Sequence, residues 1–291
     1  MNHPALWKNG EHVSREAAGV DVLAHALHYG TGVFEGIRCY DTGRGPAIFE
    51  LAAHMRRFER GAQTLGMDID IDELTNAIIE TVARSGFNNA YIRPLAFYAS
   101  GGLGLDTAPL SAEVAVGVMP WTSHLGEAAE NKGIGMHVSS YRRNSHKSLP
   151  PLKLCGGYVN SILAKREASL AGYDEALFVD DDDWVCEATG ENVFMVNNGR
   201  VTAVEHCDAL PGITRSVVMQ LTAAIARPVS LKELLSADEV FLTGTSAEVV
   251  PVSNINGHHY GSTPVTRELQ HTYANLVRGR ESASQGQVAM P

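Results

Sequence analysis

The segment Pro150-Pro151-Leu152-Lys153-Leu154-Cys155-Gly156-Gly157-Tyr158 places a lysine among apolar and small residues. Apolar neighbours disfavour a charged ammonium and leave a neutral amine that can attack a carbonyl, which a Schiff-base lysine requires. A lysine at a strand end can instead extend its ammonium to solvent. The chain has five other lysines, all with polar neighbours or on predicted solvent-facing surfaces: Lys8, Lys132, Lys147, Lys165 and Lys232. Lys153 is therefore the candidate, and other segments decide its role.

A Schiff-base cofactor such as pyridoxal phosphate needs an acidic partner for its ring nitrogen, because the protonated ring withdraws electrons from the reacting carbon. Glu187 is a candidate, since it ends the short strand-like stretch Trp184-Val185-Cys186. The alternative interpretation is an ordinary carboxylate at the end of a strand.

Two turns further along the chain suit a phosphate group. Leu210-Pro211-Gly212-Ile213-Thr214-Arg215 opens a predicted helix, and the N-terminus of a helix binds anions through its free N–H groups. Gly244-Thr245-Ser246-Ala247 is a second turn rich in hydrogen-bond donors. Pro-Gly also precedes many helices without any ligand. Either turn alone is therefore weak evidence for a phosphate site, and the prediction depends on finding both.

Hydrophobic periodicity predicts the helices and strands. Apolar residues at spacings of three and four predict helices over residues 51–65, 72–86, 158–170, 213–225 and 267–277, with Asp72 as the N-cap of the second. Strands are predicted over residues 90–99, 113–119, 134–141, 175–179, 185–187, 192–196 and 239–242, and Asn198-Gly199 predicts a two-residue hairpin. Strands in meanders with added helices favour two α+β domains over alternating βαβ units.

A polar, glycine-containing stretch after Trp121 marks the predicted domain boundary. We predict an N-terminal α+β domain over residues 1–121, an interdomain linker over 122–133 and a C-terminal cofactor-binding domain over 134–281. Residues 282–291 are polar and lack periodicity, which predicts a flexible tail. The sequence shows no internal repeat.

Composition excludes several classes of protein. The 291 residues are 44% hydrophobic and 19% charged, which is typical of a globular protein with a substantial core. The net charge of -10 argues against a nucleic-acid partner or an anionic membrane. No signal-like start and no apolar run near ~18 residues are found, so we expect a cytoplasmic protein. The four cysteines lack paired CxxC spacing and are predicted to be reduced and buried: Cys39, Cys155, Cys186 and Cys207.

Other motifs are interpreted as structural. The aspartate run at residues 180–183 predicts a solvated turn, and His258-His259 predicts an exposed hairpin. His25 and His28 have helical spacing but no third ligand in view, so we expect no metal. The glycine pairs at residues 30–32 and 102–104 lack the third glycine of a dinucleotide site, and GxSxG and HExxH motifs are missing. Dehydrogenase, serine hydrolase and zinc protease functions are thereby disfavoured.

Seven ordered segments together resemble the fold-type IV, or class IV, aminotransferases, especially the branched-chain amino acid type. They are His28-Tyr29-Gly30-Thr31-Gly32-Val33-Phe34-Glu35-Gly36-Ile37-Arg38, Leu51-x-x-His54-x-x-Arg57-Phe58, Tyr91-Ile92-Arg93-Pro94, residues 153–158, 187–194 and 210–215, and Gly244-Thr245-Ser246-Ala247-Glu248. The resemblance covers nearly the whole chain. It implies a two-domain α+β fold of the D-amino acid aminotransferase-like architecture, with pyridoxal 5'-phosphate as cofactor.

The resemblance also implies a role for each matching residue. Lys153 would be the catalytic residue, Glu187 would pair with the ring nitrogen, and Tyr158 would donate to the ring oxygen. The phosphate would be held by Arg57, Ile213, Thr214 and Thr245. The substrate would be surrounded by Phe34, Gly36, Tyr91, Trp121 and the Thr245-Ser246-Ala247 turn, with Arg38 arranging the pocket and Tyr29 assisting from a neighbouring subunit.

Arg93 provides evidence about which substrates the site accepts. A site that accepts both an apolar amino acid and glutamate needs a cation for the second carboxylate, and that cation must not have a fixed acidic partner. Two residues depart from the family pattern: Gly157 replaces an asparagine before the motif tyrosine, and His124 stands where a tyrosine often follows the Pro-Trp pair.

The resemblance implies transamination of branched-chain L-amino acids with 2-oxoglutarate by a homodimer or higher homo-oligomer. Because one fold supports several functions, the alternatives are a D-amino acid or (R)-amine transaminase, mixed specificity, and an aminodeoxychorismate lyase. Tyr91-x-Arg93 favours the branched-chain type. A cofactor-binding protein without catalysis is disfavoured, because Lys153 and Glu187 are both present.

Overall fold

The computed structural model describes residues 5–121, 132–280 and the backbone of 288–289. Most of the predicted linker, residues 122–131, lies outside the described residues, as does His124. In the described part of the chain, no helix combines the length and the apolar character that crossing a membrane requires.

The first sheet is antiparallel and is built almost entirely from the first 120 residues. Its strands are β1 (Ala5–Lys8), β2 (Glu11–Val13), β3 (Gly32–Phe34), β4 (Ile37–Thr42), β5 (Gly45–Phe49), β6 (Ala90–Ser100), β7 (Ser111–Pro120) and β17 (Val288–Ala289). Their order is β17-β5-β4-β6-β7-β1-β2, and β3 pairs with β6. The pairing of β17 with β5 gives regular structure to a part of the predicted tail, where the sequence shows no periodicity.

Within residues 5–121, three helices accompany this sheet: α1 (His25–Tyr29), α2 (Leu51–Thr64) and α3 (Ile71–Ser85). Helix α2 buries Leu51, Met55, Phe58 and Ala62, the three-and-four spacing that predicts a helix. Helix α3 begins one residue earlier than predicted, and its N-cap is Asp70, whose carboxylate accepts the N–H of Glu73 at 2.9 Å. The prediction of Asp72 as the cap was wrong, because either aspartate suits a first turn by sequence.

The second sheet is mixed and is formed by the later strands. They are β8 (Ile134–Val138), β9 (Glu175–Val179), β10 (Val185–Ala188), β11 (Asn192–Asn197), β12 (Arg200–Val204), β13 (Ile225–Arg227), β14 (Glu239–Gly244), β15 (Glu248–Ile255) and β16 (His258–His259). The order is β10-β9-β8-β15-β14-β11-β12-β13, and β16 pairs with β15. Asn198 and Gly199 form the predicted hairpin turn, with φ angles of 50° and 72°.

Within residues 133–280, the helices are α4 (Tyr158–Leu170), α5 (Ile213–Thr222), α6 (Leu231–Leu235) and α7 (Pro264–Val277). A 3-10 turn over Cys155–Gly157 leads into α4. Helix α5 ends before the predicted Ile225, which lies in strand β13 and is exposed. The helical spacing of Ile225 was therefore misleading, since Ala223 with φ of 50° ends the helix.

A shared core joins the two sheets. Tyr40 and Phe49 of the first sheet pack in one buried cluster with Phe194 and Phe241 of the second. Helices α5 and α7 close this cluster through residues such as Tyr273. The ends of β3, β6, β10 and β14 are thereby held in fixed positions around the cleft described below.

All four cysteines are free, as expected, but their burial differs. Cys39 and Cys186 are buried, Cys155 is half-buried, and Cys207 is exposed. The prediction of a buried Cys207 was wrong, because it lies in a loop between β12 and α5 where hydrophobic pattern gives no information.

Candidate active site

A cleft between the two sheets collects most of the residues singled out by sequence. It encloses about 440 Å³, including space open to solvent. Five predicted cofactor residues line it: Arg57, Lys153, Ile213, Thr214 and Thr245. Three predicted substrate residues line it as well: Gly36, Tyr91 and Ser246. These residues come from both sheets, so the cleft exists only because the two halves pack together.

Lys153 is held at the cleft by the strand next to it. Its carbonyl accepts the N–H of Phe34 at 3.1 Å, and Leu154 bridges Val33. The half-buried amine donates to the Tyr158 hydroxyl at 2.8 Å and lies 4.9 Å from the centre of the Phe34 ring. A positioned amine with aromatic walls suits attack on a carbonyl.

Glu187 is the third residue of strand β10, which ends at Ala188, and its side chain is buried. Arg143 donates to its Oε1 at 2.7 Å, and the Leu210 N–H donates to its Oε2 at 2.9 Å. Burial raises the pKa of Glu187, while the guanidinium of Arg143 opposes that rise. Leu210 lines the cleft and Glu187 itself lies behind it. Reasoning from sequence missed Arg143, since nothing in the local pattern separates it from its neighbour Arg142.

The anion-binding end of the cleft combines a helix N-terminus with an arginine. Gly212 precedes α5 and has no side chain to cap the first N–H groups of that helix, which belong to Ile213 and Thr214. A Cβ on Gly212 would lie 1.9 Å from Oδ1 of Asn192, so a larger residue there would require the Asn192 side chain or the turn to shift. Arg57 reaches the same turn, donating to the carbonyl of Pro211 at 3.1 Å. This end of the cleft is therefore built to receive an anion.

Of the predicted substrate residues, Tyr91 lines the cleft, while Arg93 and Trp121 contact Tyr91 without lining it. Arg93 donates to the Tyr91 hydroxyl at 2.8 Å and lies over the Phe34 ring at 4.8 Å. Its buried Nε has no hydrogen-bond partner among the described residues. Tyr91 stacks on Trp121 with ring centres 4.7 Å apart, and a Cβ on Gly36 would lie 2.0 Å from the Tyr91 hydroxyl. The Arg93 guanidinium and the Tyr91 ring thus pack against the aromatic rings of Phe34 and Trp121, respectively.

Some predicted substrate residues lie away from the cleft of their own chain. Tyr29 is exposed and donates to the Leu103 carbonyl at 3.0 Å. Arg38 is buried, lies 3.5 Å from Glu248 and packs over Tyr40 and Trp121. Ala247 is buried in the turn beside Ser246 without lining the cleft.

The departure at Gly157 has a structural account. Its carbonyl accepts the side-chain amide of Asn144 at 3.0 Å, and a Cβ there would lie 3.1 Å from Leu149. Gly157 therefore fits a close approach between the loop before Lys153 and the start of α4. His124, the other departure, is among the residues not described.

Among the described residues, one group of side chains of metal-ligand type lies outside the cleft. The ligand atoms of His146, Cys207 and Asp208 fall within 4.8 Å of one another. His146 Nδ1 and Asp208 Oδ1 are 2.6 Å apart and form an ion pair when the ring is protonated. That the protein works without a metal remains a prediction. The aspartate run behaves as expected, with Asp180 accepting the N–H groups of Asp182 and Trp184 in a turn.

Comparison with known proteins assigns the class. Residues 32–255 match the family described as amino-transferase class IV. The match begins at β3, ends with β15 and so includes every predicted cofactor residue. The chain belongs to the class IV aminotransferases, and the expected fold-type IV α+β architecture is confirmed.

Within that family, the similar proteins share one activity by name. A branched-chain-amino-acid aminotransferase of Pseudomonas aeruginosa is 39% identical over 289 residues, covering 96% of this chain and 94% of that protein. The protein of the same name from Escherichia coli K12 is 38% identical, covering 94% and 93%. A solved structure of the branched-chain amino acid aminotransferase from Thermobaculum terrenum, in its PLP-bound holo form, is 31% identical, covers 98% of this chain and 97% of that chain, and has a TM-score of 0.88.

Proposed function

We propose that this protein is a branched-chain amino acid aminotransferase that uses pyridoxal 5'-phosphate. It transfers the amino group of L-leucine, L-isoleucine or L-valine to 2-oxoglutarate, giving branched 2-oxo acids and L-glutamate. The similar proteins named above support this activity. The observation that carries it is the half-buried Lys153 amine, 2.8 Å from the Tyr158 hydroxyl in a cleft that also holds Arg57.

The side chains of the cleft fit this cofactor. Lys153 offers an amine for the aldehyde, and the N-terminus of α5 with Arg57 offers donors and positive charge for the phosphate. Glu187, held by Arg143, offers a carboxylate for the ring nitrogen. Thr245 at the β14–β15 turn adds a second group of donors. The donor set thus matches an aldehyde, a phosphate and a basic ring at once.

The cofactor, when bound, supplies a carbonyl that captures the amino group and a protonated ring that withdraws electrons from the substrate Cα. Lys153 supplies the rest of the acid–base chemistry. With the cofactor bound, the free Lys153 amine would take the proton from the substrate Cα at its Nζ and release it again. Positioned proton transfer of this kind contributes ~10²–10⁴-fold to rate. Tyr158, which already accepts the lysine N–H, keeps that amine on one side of the cleft.

Arg93 and Tyr91 account for the use of two different substrates. Leucine places a branched chain against Phe34, whose ring the Arg93 guanidinium also contacts at 4.8 Å. Glutamate places a carboxylate in the same space, where Arg93 and the Tyr91 hydroxyl bind it. The turn containing Ser246 receives the α-carboxylate, which both substrates share.

We further propose a cytoplasmic homodimer in which Tyr29 reaches the neighbouring subunit. Its support is a surface of exposed apolar side chains around α1 and α4: Leu27, Tyr29, Leu103, Val159 and Ile162. The two helices are adjacent, because Gly156 donates its N–H to the Gly30 carbonyl at 3.0 Å. Large exposed apolar surfaces of this kind mark protein interfaces. Four free cysteines fit a reducing compartment.

The visible spectrum of the purified protein tests the function. We expect a yellow protein that bleaches on adding L-leucine and recovers on adding 2-oxoglutarate. Bleaching by D-alanine or (R)-1-phenylethylamine, but not by L-leucine, would instead establish the D-amino acid or amine alternative. A protein that stays colourless with added cofactor would contradict the cofactor assignment.

The Lys153→Ala variant tests the central residue. It is expected to lose turnover by at least ~10³-fold, since both capture and proton transfer need the amine. Lys147→Ala, an exposed lysine near the same segment, serves as the control and should keep wild-type turnover.

A further inference from the structure

Two buried ionisable residues beside the cleft have no part in the chemistry above. Glu35 and His54 have 0% and 1% of their surface exposed. Glu35 receives two hydrogen bonds from Arg57, from Nε at 2.6 Å and from Nη2 at 2.9 Å. His54 Nδ1 lies 2.8 Å from Oε2 of the same carboxylate. The three side chains form one closed network, which is called the Glu35 network below.

The charges within the Glu35 network are well defined. Although burial opposes ionisation, Arg57 and His54 together hold the pKa of Glu35 well below its usual range. Burial lowers the pKa of His54, so its ring is neutral near neutral pH. An ionised carboxylate only accepts hydrogen bonds, so the Nδ1 of His54 must carry the hydrogen. Glu35 is therefore an anion held between a guanidinium and a neutral donor.

The hydrogen bonds of the Glu35 network also fix the orientation of Arg57. Glu35 lies between Phe34 and Gly36, and its Oε2 also accepts the Gly36 N–H at 3.2 Å. Its two bonds to Arg57 occupy Nε and Nη2, which fixes the plane of the guanidinium. The remaining nitrogen, Nη1, points to the Pro211 carbonyl, directly before the N-terminus of α5. Arg57 thus spans from the first sheet to the anion-binding turn of the second.

A free arginine has many rotamers, and ordering it on binding costs free energy. A guanidinium fixed by a bidentate carboxylate avoids most of that cost. We infer that Glu35 and His54 are positioning residues that hold Arg57 ready to bind the phosphate of the cofactor. The inference rests on the proposed function, and it assigns a purpose to the Glu and His of the segments 28–38 and 51–58.

The test compares two cofactors that differ only in the phosphate. Apoenzyme is titrated with pyridoxal 5'-phosphate and with pyridoxal, and the ratio of their dissociation constants measures what the phosphate contributes. In Glu35→Gln and His54→Leu, affinity for the phosphorylated form should fall ~10–100-fold, the value of a hydrogen bond to a charged group. Affinity for pyridoxal should change by less than about 3-fold.

Conservative and distant variants serve as controls. In His54→Asn, the amide nitrogen takes the place of Nδ1, so most of the lost ratio should return. Glu239→Gln alters an equally buried glutamate whose carboxylate accepts the N–H groups of Val265 and Thr266, far from the cleft. It should leave the ratio unchanged even if it lowers the Tm.

The outcomes separate the inference from the proposed function. Equal losses of affinity for both cofactors would mean that the Glu35 network only supports the fold, which overturns the inference. An unchanged ratio in Glu35→Gln overturns it too, and this near-isosteric variant is the one expected to fold if His54→Leu does not. A wild-type protein that binds both cofactors equally would instead contradict the phosphate site itself.

Discussion

At the scale of single residues, Arg93 is proposed to decide which substrates the cleft accepts. The cation is covered by Phe34 on one face and bonded to Tyr91, so it is available to a second carboxylate. In Arg93→Met an apolar chain of similar length replaces the cation. We expect kcat/KM for 2-oxoglutarate to fall ~10–100-fold, the value of a charge-assisted hydrogen bond, and the half-reaction with L-leucine to stay within about 3-fold.

Single-turnover kinetics of the two half-reactions give these values separately. Arg142→Met is the control, because Arg142 pairs with Asp181 on the surface and should affect neither half-reaction. Equal losses with leucine and 2-oxoglutarate would contradict a special role for Arg93 in binding the second carboxylate.

Glu191 shows how a buried residue near the cleft sets a pH dependence. Burial and the neighbouring Glu175 raise the pKa of Glu191 from 4.5 to about 8. A carboxyl group with a raised pKa in the folded state contributes stability below its unfolded pKa, and that contribution is lost as pH rises towards 8. The wild-type protein is therefore expected to lose stability between about pH 4.5 and pH 8 through this group.

Glu191→Gln keeps the shape of the side chain but cannot ionise. The variant should therefore not lose stability through this group as the pH rises. We expect its Tm to exceed that of the wild type by several degrees at pH 8 and to differ little at pH 5. Thermal melts followed by circular dichroism at the two pH values measure the difference. Glu268→Gln changes an exposed side chain of α7 and should show the same difference from wild type at both. Equal shifts at both pH values in Glu191→Gln would contradict the raised pKa.

At the scale of elements, local sequence pattern predicted what local forces determine. Helix α2 and strand β9 follow from the spacing of apolar residues, and the Asn198-Gly199 turn follows from backbone preference. The predicted helix over 213–225 ran too long, because the helix ends at Ala223 in the left-handed conformation, which the spacing of apolar residues does not predict. The pairing of β17 with β5 is a long-range contact that no periodicity signals.

The site was predictable to the extent that its residues lie in motifs. Lys153, Arg57 and Thr214 do meet in one cleft. Arg143 was missed, because its link to Glu187 joins segments 44 residues apart and depends on how β8 and β10 are arranged. The tertiary fold determines which charged residues become buried partners, as Arg143 does. A single sequence therefore does not distinguish them from charges on the surface.

The start of α5 depends on one glycine. Gly212 leaves the first N–H groups of the helix open, and any Cβ there would collide with Asn192, which also donates to the Leu210 carbonyl at 2.9 Å. Gly212→Ala should therefore displace the turn and weaken binding of pyridoxal 5'-phosphate by ~10-fold or more, as expected for losing a hydrogen bond to a charged group. Titration of the apoenzyme by absorbance measures this loss.

Gly261→Ala provides the matched control, since a Cβ at Gly261 meets nothing within 4 Å and its φ is not in the left-handed region. It should bind cofactor as the wild type does. If Gly212→Ala also bound normally, the turn would have room to adjust, and the argument from close contact would fail.

At the scale of the whole molecule, two sheets meet at a shared aromatic core and one arginine crosses between them. Phe49 and Phe241 belong to the same buried cluster, and Arg57 connects α2 to the turn before α5. The cleft therefore depends on how the halves are docked. The apolar surface around α1 and α4 lies next to the Lys153 segment, since Gly30, at the end of α1, contacts Gly156, three residues after that lysine. We therefore expect formation of the proposed dimer to be linked to cofactor binding.

This arrangement predicts that one surface charge can dissociate the dimer. Ile162 and Ile225 are equally exposed, each at 63%, but only Ile162 lies on the proposed interface in α4. Burying a charge at an interface without a partner is costly, so Ile162→Asp should give monomers at micromolar concentration, while Ile225→Asp stays dimeric. Size-exclusion chromatography with light scattering measures the masses. Because Tyr29 is proposed to assist the neighbouring site, the Ile162→Asp monomer should also lose activity, and a fully active monomer would contradict that contribution.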